Sequence, residues 1–236
     1  MLLITLSWIR GVGSVIKAPI YGCWRWVSGA GVVCLFVGSV AYAAPPADGK
    51  AIFSTTCMAC HGSRGEGNTK IGAPNIAGME AVYVGRQLSN FLSGVRGASA
   101  NDSYGSQMRA AVGVLKTDAD RIAVASYIAS LPQIKSTTEI KINDGKVNMA
   151  NGSTQYNAVC SSCHESRAQG NAQMGAPSLV GIDPVYLERQ VIAFREGSRG
   201  AHKDDKTGAL MRVGANMLPD AKSAHDVIAY INHLKP

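Results

Sequence analysis

The chain has 236 residues, of which 46% are hydrophobic and 17% charged, and its formal net charge is +7. Three of its basic residues, Arg10, Lys17 and Arg25, lie in the first 43 residues, which contain no acid. Without that segment 20 basic residues face 16 acidic ones and no basic block remains, which argues against a nucleic-acid-binding protein.

The first 43 residues have the order of a secretory signal peptide. Their basic residues precede an uncharged stretch, which ends in the A-x-A cleavage motif Ala41-Tyr42-Ala43. We therefore expect cleavage near Ala43 and a mature chain in the periplasm. An uncleaved membrane anchor is the alternative interpretation, because residues 26–47 carry no charge.

Two Cys-x-x-Cys-His motifs lie 103 residues apart, formed by Cys57, Cys60 and His61 and by Cys160, Cys163 and His164. Cysteines three residues apart lie on one face of a helical turn, where both sulfurs can bond to one porphyrin. The adjoining histidine can then bind the iron as its proximal ligand. The motifs predict two covalently bound haem c groups, with zinc binding or dithiol chemistry as the alternatives.

The two halves of the chain repeat each other well beyond these motifs. Residues 103 positions apart match at Gly72-Ala73-Pro74/Gly175-Ala176-Pro177, Tyr83/Tyr186, Arg86/Arg189, Gln87/Gln190, Phe91/Phe194, Arg96/Arg199 and Met108/Met211. Two copies are too few for a solenoid, so the repeat indicates two tandem domains of similar fold. We assign domain 1 to residues 44–132, a linker to 133–146 and domain 2 to 147–236.

Apolar residues at helical spacings predict an all-α fold in both domains. In domain 1 we expect helices at 48–58, 79–93 and 117–131, the last with Thr117 as its N-cap. In domain 2, Asp183-Pro184 and Pro219-Asp220 are expected to begin the middle and last helices. Glycine-rich loops are expected at 62–78, 94–106, 165–181 and 197–209, with a solvated Asp204-Asp205 pair in the last. Strand-like alternation occurs at 138–142, in the linker.

The sixth ligand of each iron distinguishes an electron carrier from an enzyme, because an open position admits small molecules. Met108 and Met211 are the candidates, since each lies 47 residues after its histidine and both repeats keep it in register. We expect both in a glycine-containing loop before the last helix. Met217 is a weaker rival in the second half, because its counterpart is Val114.

With these motifs the chain resembles class I cytochromes c, and specifically the dihaem cytochrome c4 family, over residues 47–236. The resemblance implies two class I cytochrome c domains, each wrapped around a covalent haem. It implies proximal ligation by histidine, distal ligation by methionine, and proline carbonyls that accept hydrogen bonds from the proximal imidazoles. The residues concerned are His61, Met108 and Pro74 in domain 1 and His164, Met211 and Pro177 in domain 2.

The resemblance also implies how the helices and domains pack. The first and last helices of each domain should pair Gly49 and Phe53 with Tyr127, and Gly152 and Tyr156 with Tyr230. The domains are expected to face each other about a pseudo-two-fold axis. The matched arginines, Arg86, Arg96, Arg189 and Arg199, are candidates for pairing with haem propionates, against the alternative of a solvated helix face.

These features together predict a periplasmic dihaem electron carrier, and the resemblance implies a family of periplasmic or membrane-associated carriers. The partners expected are redox proteins: an upstream cytochrome complex or dehydrogenase and a downstream terminal oxidase, with no nucleic acid. One alternative is a membrane-tethered dihaem subunit of an oxidase or dehydrogenase complex. The other is a small dihaem enzyme of the peroxidase or thiosulfate-oxidising kind, which the matched methionines argue against.

Overall fold

The computed structural model describes residues 47–140 and 146–234, and in these ranges the secondary structure is helical. The predicted signal peptide at 1–43 and the last part of the linker, residues 141–145, lie outside the described residues. The described residues of the 138–142 segment form no strand, and the extended pairings are two isolated bridges, Asn68 with Ala73 and Asn171 with Ala176. The all-α fold class is confirmed. No described helix is long and apolar enough to cross a membrane.

The two domains have the same order of helices. In domain 1 these are α1 (Gly49–Ile52), a π-helical turn (Phe53–Cys57), α2 (Met58–His61), α3 (Ala81–Ser93), α4 (Ser103–Val112) and α5 (Asp118–Ser130). In domain 2 they are α6 (Met149–Gln155), a π-helical turn (Tyr156–Cys160), α7 (Ser161–His164), α8 (Pro184–Glu196), α9 (Lys206–Met217) and α10 (Ala221–His233). The predicted helices are all present, and the first continues to His61 rather than ending at residue 58.

Helices α4 and α9 were not predicted: loops were expected at 94–106 and 197–209. The expectation that Met108 and Met211 lie in a loop is wrong, because both lie in these helices. Asp102 begins α4 by accepting a hydrogen bond from the Gly105 amide at 2.8 Å, and Asp205 begins α9 through Gly208 at 2.9 Å. The prediction of a solvated Asp205 is therefore wrong: its side chain caps a helix and is buried. Glycine disfavours helix, which hid these elements in the sequence.

The glycines of α4 and α9 permit a close approach of chain segments rather than flexibility. A Cβ atom on Gly105 would lie 2.8 Å from the Cα atom of Gly97, in the preceding loop, and would overlap the Asp102 carboxylate. Gly97 itself has a φ of +77°, in the left-handed region that favours glycine. These positions therefore keep glycine because the loop passes directly against the helix.

The helix starts that the sequence predicted are confirmed. Thr117 and Asp120 form a capping box at the start of α5, in which each side chain accepts a hydrogen bond from the other residue's amide. Asp183 caps α8 with Pro184 as the first helical residue, and Asp220 caps α10. These local signals were readable because N-caps depend on neighbouring residues alone.

The first and last helices of each domain cross where the sequence places a glycine. A Cβ atom on Gly49 would overlap the Ala123 carbonyl in α5, so glycine is what allows the two backbones to touch. One turn later the Phe53 and Tyr127 rings pack with centroids 5.3 Å apart. Domain 2 repeats the arrangement with Gly152 against α10 and with the Tyr156 and Tyr230 rings 5.5 Å apart. The helix pairing implied by the family resemblance is confirmed.

Each domain has its own apolar core around this crossing. In domain 1 the core comprises Phe53, Val84, Leu88, Phe91, Val112, Leu115, Val124, Ala125 and Ile128. In domain 2 it comprises Tyr156, Ala168, Val180, Ile182, Leu187, Leu218, Ala224, Val227, Ile228 and Ile231. Each π-helical turn joins the core to the cysteine motif, because it begins at the core residue Phe53 or Tyr156 and ends at Cys57 or Cys160. Since a π turn contains more residues than an α turn, it redirects the side chains that follow it.

The domains and the start of the linker are joined around a buried side chain, Asn75. Its amide nitrogen donates to the carbonyls of Ile134 at 2.8 Å and Gly181 at 2.9 Å, and its oxygen accepts from the Asp183 amide at 3.1 Å. The equivalent position in domain 2 is Ser178. This contact therefore has no symmetric counterpart, and it fixes the linker between the two domains.

Asp226 is expected to stabilise domain 2 in a pH-dependent way. Burial alone would raise the pKa of this carboxyl, but hydrogen bonds from the Asn148 amide, the Asn151 side chain and Lys222 outweigh it and hold the pKa below its usual range. Stability from a lowered pKa is present above the unfolded value of about 4 and is lost as pH falls through the folded value.

Replacing Asp226 by Asn should therefore lower the free energy of unfolding by about 1.5–3 kcal/mol at pH 7, with a smaller difference at pH 3. Urea unfolding of the holoprotein at both pH values measures this. The control is Asp204→Asn on the exposed surface, for which we expect a change within about 0.5 kcal/mol at either pH. A pH-independent difference for Asp226→Asn would contradict the assignment.

Candidate functional site

Each domain contains a largely apolar cavity at its cysteine motif, of about 180 Å³ in domain 1 and about 190 Å³ in domain 2. The walls come from the cysteine motif, the Gly-Ala-Pro segment, the middle helix and the helix that carries the matched methionine. The predicted site residues meet there: Cys57, Cys60, His61, Pro74 and Met108 line the first cavity, and Cys160, Cys163, His164, Pro177 and Met211 line the second. The repeat in sequence is thus a repeat of one site.

The cysteine pairs do not fit thiol redox or zinc chemistry. Burial and the neighbouring cysteine raise the pKa of the Cys57 and Cys160 thiols to about 11, whereas a reactive thiol has a lowered pKa. Within residues 47–140 and 146–234, no group of three or more His, Cys, Asp or Glu side chains converges to form a metal site. The zinc interpretation of the two motifs therefore lacks a ligand set in the described part of the chain.

The two histidines are held in one orientation by the Gly-Ala-Pro segments. The Nδ1 atom of His61 lies 2.8 Å from the Pro74 carbonyl, and Nδ1 of His164 lies 2.9 Å from the Pro177 carbonyl. Because a carbonyl can only accept, Nδ1–H is the donor in each pair. Burial lowers the pKa of both imidazoles, although the hydrogen bond opposes this effect. Each neutral ring therefore presents an Nε2 lone pair.

In domain 2 that lone pair faces a thioether across the cavity. The Sδ atom of Met211 lies 3.4 Å from Nε2 of His164. Neither atom carries a hydrogen, so the contact brings two possible iron ligands, an imidazole nitrogen and a thioether sulfur, to the same part of the cavity. The two atoms touch directly, so an iron bound by both would require the two side chains to move apart. Met108 lines the domain 1 cavity together with His61. Met217 is 60% exposed and lies outside this cavity, so the structure does not support it as an alternative iron ligand to Met211.

The two cavities adjoin a reciprocal network of polar side chains between the domains. Arg96 donates to Gln87 of its own domain at 2.8 Å, and to Gln190 and Tyr186 of the other at 2.9 and 3.1 Å. Arg199 makes the mirror set, with Gln190 at 2.6 Å, Gln87 at 3.0 Å and Tyr83 at 3.3 Å. Such mutual contacts characterise an interface with two-fold symmetry.

The network shows what the sequence reasoning missed. Both bridging arginines are 8% exposed, so the alternative of a solvated helix face is wrong for Arg96 and Arg199. The glutamine and tyrosine positions were recognised as matched pairs but were given no role. The only signal was their identity at an offset of 103, which cannot distinguish a contact between domains from one within each domain.

The residues present fit haem. Three buried guanidinium nitrogens, the Nε atoms of Arg86, Arg96 and Arg189, have no hydrogen-bond partner, and each of these arginines lines one of the cavities. Buried donors without acceptors are rare in folded proteins. Haem brings two carboxylates on one edge of an otherwise apolar ring, so it supplies the missing acceptors and fills the apolar walls. The cavity chemistry and the cysteine motif therefore point to the same group.

Comparison with known proteins gives the family. A cytochrome c family model matches residues 46–132 and again residues 149–235. The chain belongs to the cytochrome c family. It has two tandem cytochrome c domains, as predicted, and so carries two covalently bound haem c groups, one at each cysteine motif. The predicted resemblance to the dihaem cytochrome c4 family is confirmed by the relatives and structures that share this arrangement.

This cytochrome is similar along most of its length to two curated proteins. It is 30% identical over 183 residues to a thiosulfate dehydrogenase electron acceptor of Thiomonas intermedia, covering 77% of each chain. It is 27% identical over 213 residues to cytochrome c4 of Azotobacter vinelandii, covering 86% of this chain and 96% of the relative. The crystal structure of reduced cytochrome c4 from Pseudomonas stutzeri shares the fold, with a TM-score of 0.62 and 24% identity over 79% of this chain and 97% of that one. The chain is thus a dihaem cytochrome c with the organisation of an electron carrier.

Proposed function

We propose that this cytochrome is a periplasmic carrier of single electrons between respiratory redox proteins, with both irons closed by protein ligands. The proposed ligands are His61 and Met108 in domain 1 and His164 and Met211 in domain 2. The observation that carries the proposal is that Met211 Sδ lies 3.4 Å from His164 Nε2 inside an apolar cavity. A closed iron exchanges electrons but does not readily bind a substrate.

The protein contributes orientation and a dry environment to this chemistry. When bound, haem supplies an iron that takes up and gives up one electron at a time. The carbonyls of Pro74 and Pro177 fix the imidazole rings and keep their Nε2 atoms available as ligands. The apolar walls exclude water, so little solvent has to reorganise when the charge changes. Thioether ligation raises the reduction potential relative to ligation by two histidines.

The partners are proposed from the relatives. The similar protein of Thiomonas intermedia is named for accepting electrons from thiosulfate dehydrogenase. This name supports a dehydrogenase as the upstream donor. A cytochrome complex as an alternative donor and a terminal oxidase downstream are proposed from the resemblance alone. The A-x-A motif ending at Ala43 supports export to the periplasm. A retained N-terminal segment would instead make the protein a membrane-tethered subunit of an oxidase or dehydrogenase complex, and N-terminal sequencing distinguishes the two forms.

Carbon monoxide and thiosulfate distinguish the carrier from an enzyme with one open haem. We expect the reduced protein to form no carbon monoxide adduct, because both irons are closed. We expect thiosulfate to reduce the oxidised protein only when a thiosulfate dehydrogenase is added. An adduct at one haem, or direct turnover of thiosulfate with ferricyanide as electron acceptor, would contradict the proposal and would favour the small dihaem enzyme.

A further inference from the structure

Arg86 and Arg189 occupy equivalent positions in α3 and α8, yet each lines the cavity of the opposite domain. Arg189 of domain 2 lines the cavity that contains His61, and Arg86 of domain 1 lines the cavity that contains His164. We propose that each arginine is a positioning residue that sets the reduction potential of the haem in the other domain. The inference rests on the proposed function, since it requires a histidine-ligated haem in each cavity.

Each arginine holds the segment that orients the histidine of the opposite domain. The Nη2 atom of Arg189 donates to the Gly72 carbonyl at 2.6 Å, and two residues later the Pro74 carbonyl accepts from His61. Three consecutive residues thus connect the guanidinium of one domain to the imidazole of the other. A substitution of Arg189 should therefore alter the orientation of the His61 imidazole, because it changes the position of the Gly-Ala-Pro segment.

The reciprocal contact exists in the second domain. Nη2 of Arg86 donates to the Gly175 carbonyl at 2.5 Å, and the Pro177 carbonyl accepts from His164. A Cβ atom on Gly175 would lie 2.6 Å from Nη1 of Arg86, so glycine leaves the space that the guanidinium occupies. Each domain therefore provides an arginine that reaches the Gly-Ala-Pro segment of the other domain.

The positive charge of each arginine is a second way in which it affects the haem of the opposite domain. A guanidinium remains ionised, and the Nε atoms of Arg86 and Arg189 are buried without a partner beside the cavities they line. A fixed positive charge at the wall disfavours the ferric state, which carries one more positive charge than the ferrous state. Removing the charge should therefore lower the midpoint potential of the haem whose cavity the arginine lines.

The arrangement is stronger on the domain 1 side. The guanidinium of Arg189 lies 3.9 Å from the ring centroid of Tyr104, in the helix that carries Met108. Arg189 therefore contacts both the Gly72 segment and the α4 helix of domain 1. The counterpart of Tyr104 is Thr207, which has no ring for Arg86 to stack upon. We expect the loss of Arg189 to shift its haem more than the loss of Arg86 shifts the other.

A purely structural role at the interface makes a different prediction. Arg96 and Arg199 hydrogen-bond to both domains and line the cavity of their own domain, so they serve the interface itself. If Arg86 and Arg189 only held the domains together, their loss would move both midpoints together. The two roles can therefore be distinguished by measuring which haem changes its midpoint potential when one arginine is replaced.

The test is spectroelectrochemical titration of the holoprotein carrying Arg189→Gln or Arg86→Gln. Met211→His, which exchanges the thioether for an imidazole in domain 2, assigns the two midpoints, because that substitution lowers one of them selectively. We expect Arg189→Gln to change the reduction equilibrium of the domain 1 haem about threefold to tenfold and to leave domain 2 at its wild-type value. Arg86→Gln should do the reverse. Arg121→Gln, which removes the same charge from a residue outside both cavities, is the control.

Three results would overturn the inference: each arginine moves the midpoint of its own domain, both midpoints move together, or neither moves beyond the Arg121→Gln control. Arg189→Lys keeps the charge but loses the forked donor, and it must still shift domain 1 alone, by less. It takes the place of Arg189→Gln if that variant fails to incorporate haem. Failure of the proposed function would be visible separately, since Met211→His would then leave both midpoints unchanged.

Discussion

Met211→Ala should remove half of the far-red iron–methionine absorption band of the oxidised protein and should open one of its two haems to carbon monoxide after reduction. The Met211 sulfur lies 3.4 Å from Nε2 of His164. If Met211 holds the domain 2 iron as proposed, its loss would leave that iron with His164 as its one protein ligand. The midpoint potential of the same haem should fall, because thioether ligation raises it. Met108→Ala should have the equivalent effect on domain 1.

Met174 provides the matched control for this substitution. It also lines the domain 2 cavity but is 49% exposed, and nothing places its sulfur opposite His164. Met174→Ala should therefore keep the full far-red band and should bind no carbon monoxide. If Met174→Ala lost the band while Met211→Ala kept it, the ligand assignment in domain 2 would be wrong.

Gly152→Val is expected to lower the free energy of unfolding by about 3 kcal/mol or more. A Cβ atom at this position would overlap the Asp226 carbonyl of α10 and would lie 3.1 Å from Cβ of Tyr230. Backbone atoms of a packed helix cannot move aside as a flexible side chain can, so α6 and α10 would have to separate. Denaturant unfolding of the holoprotein, followed by circular dichroism and by the haem spectrum, measures the effect.

Gly85→Ala tests whether the effect depends on the crossing rather than on glycine in general. Gly85 lies within α3, and the nearest atom to an added Cβ is the Ala125 Cβ at 3.9 Å, an ordinary van der Waals distance. Its counterpart in domain 2 is Glu188, so a side chain is accommodated there. We expect Gly85→Ala to raise stability by about 0.5–1 kcal/mol. A Gly152→Val protein as stable as the wild type would refute the packing argument.

Much of the fold could be predicted because the sequence contains two copies of the same domain. The cysteine motifs, the Gly-Ala-Pro segments and the caps at Thr117 and Asp183 are short local patterns, and local patterns determine where helices begin. The 103-residue offset added what no single pattern could show, namely that one domain is repeated. The all-α fold and the two haem groups were therefore correctly predicted.

The helices that carry Met108 and Met211 could not be predicted, because their sequences contain glycines that disfavour helix. Gly105 and Gly208 are present because a loop passes against each helix, and that contact exists only in the folded chain. Asp102 and Asp205, three residues earlier, were the available capping signal. Tertiary contacts override local propensity at such positions.

The contacts of Arg86 and Arg189 with the opposite domain could not be predicted from the sequence either. Arg86 and Arg189 were recognised as a matched pair, and pairing with a propionate was considered for each. A repeat offset shows which residues are equivalent, but it does not show which domain each side chain enters. That information comes from the hydrogen bonds across the interface, in which Arg86 donates to the Gly175 carbonyl and Arg189 to the Gly72 carbonyl.

The most direct test of the account is a haem count by pyridine haemochrome, with the far-red iron–methionine band quantified on the same oxidised sample. Two haems and a full-strength band per chain are expected, because each cavity contains one cysteine motif, one oriented histidine and one matched methionine. A single haem, or two haems with a half-strength or missing band, would contradict two closed histidine–methionine sites and would leave an open iron as the better description.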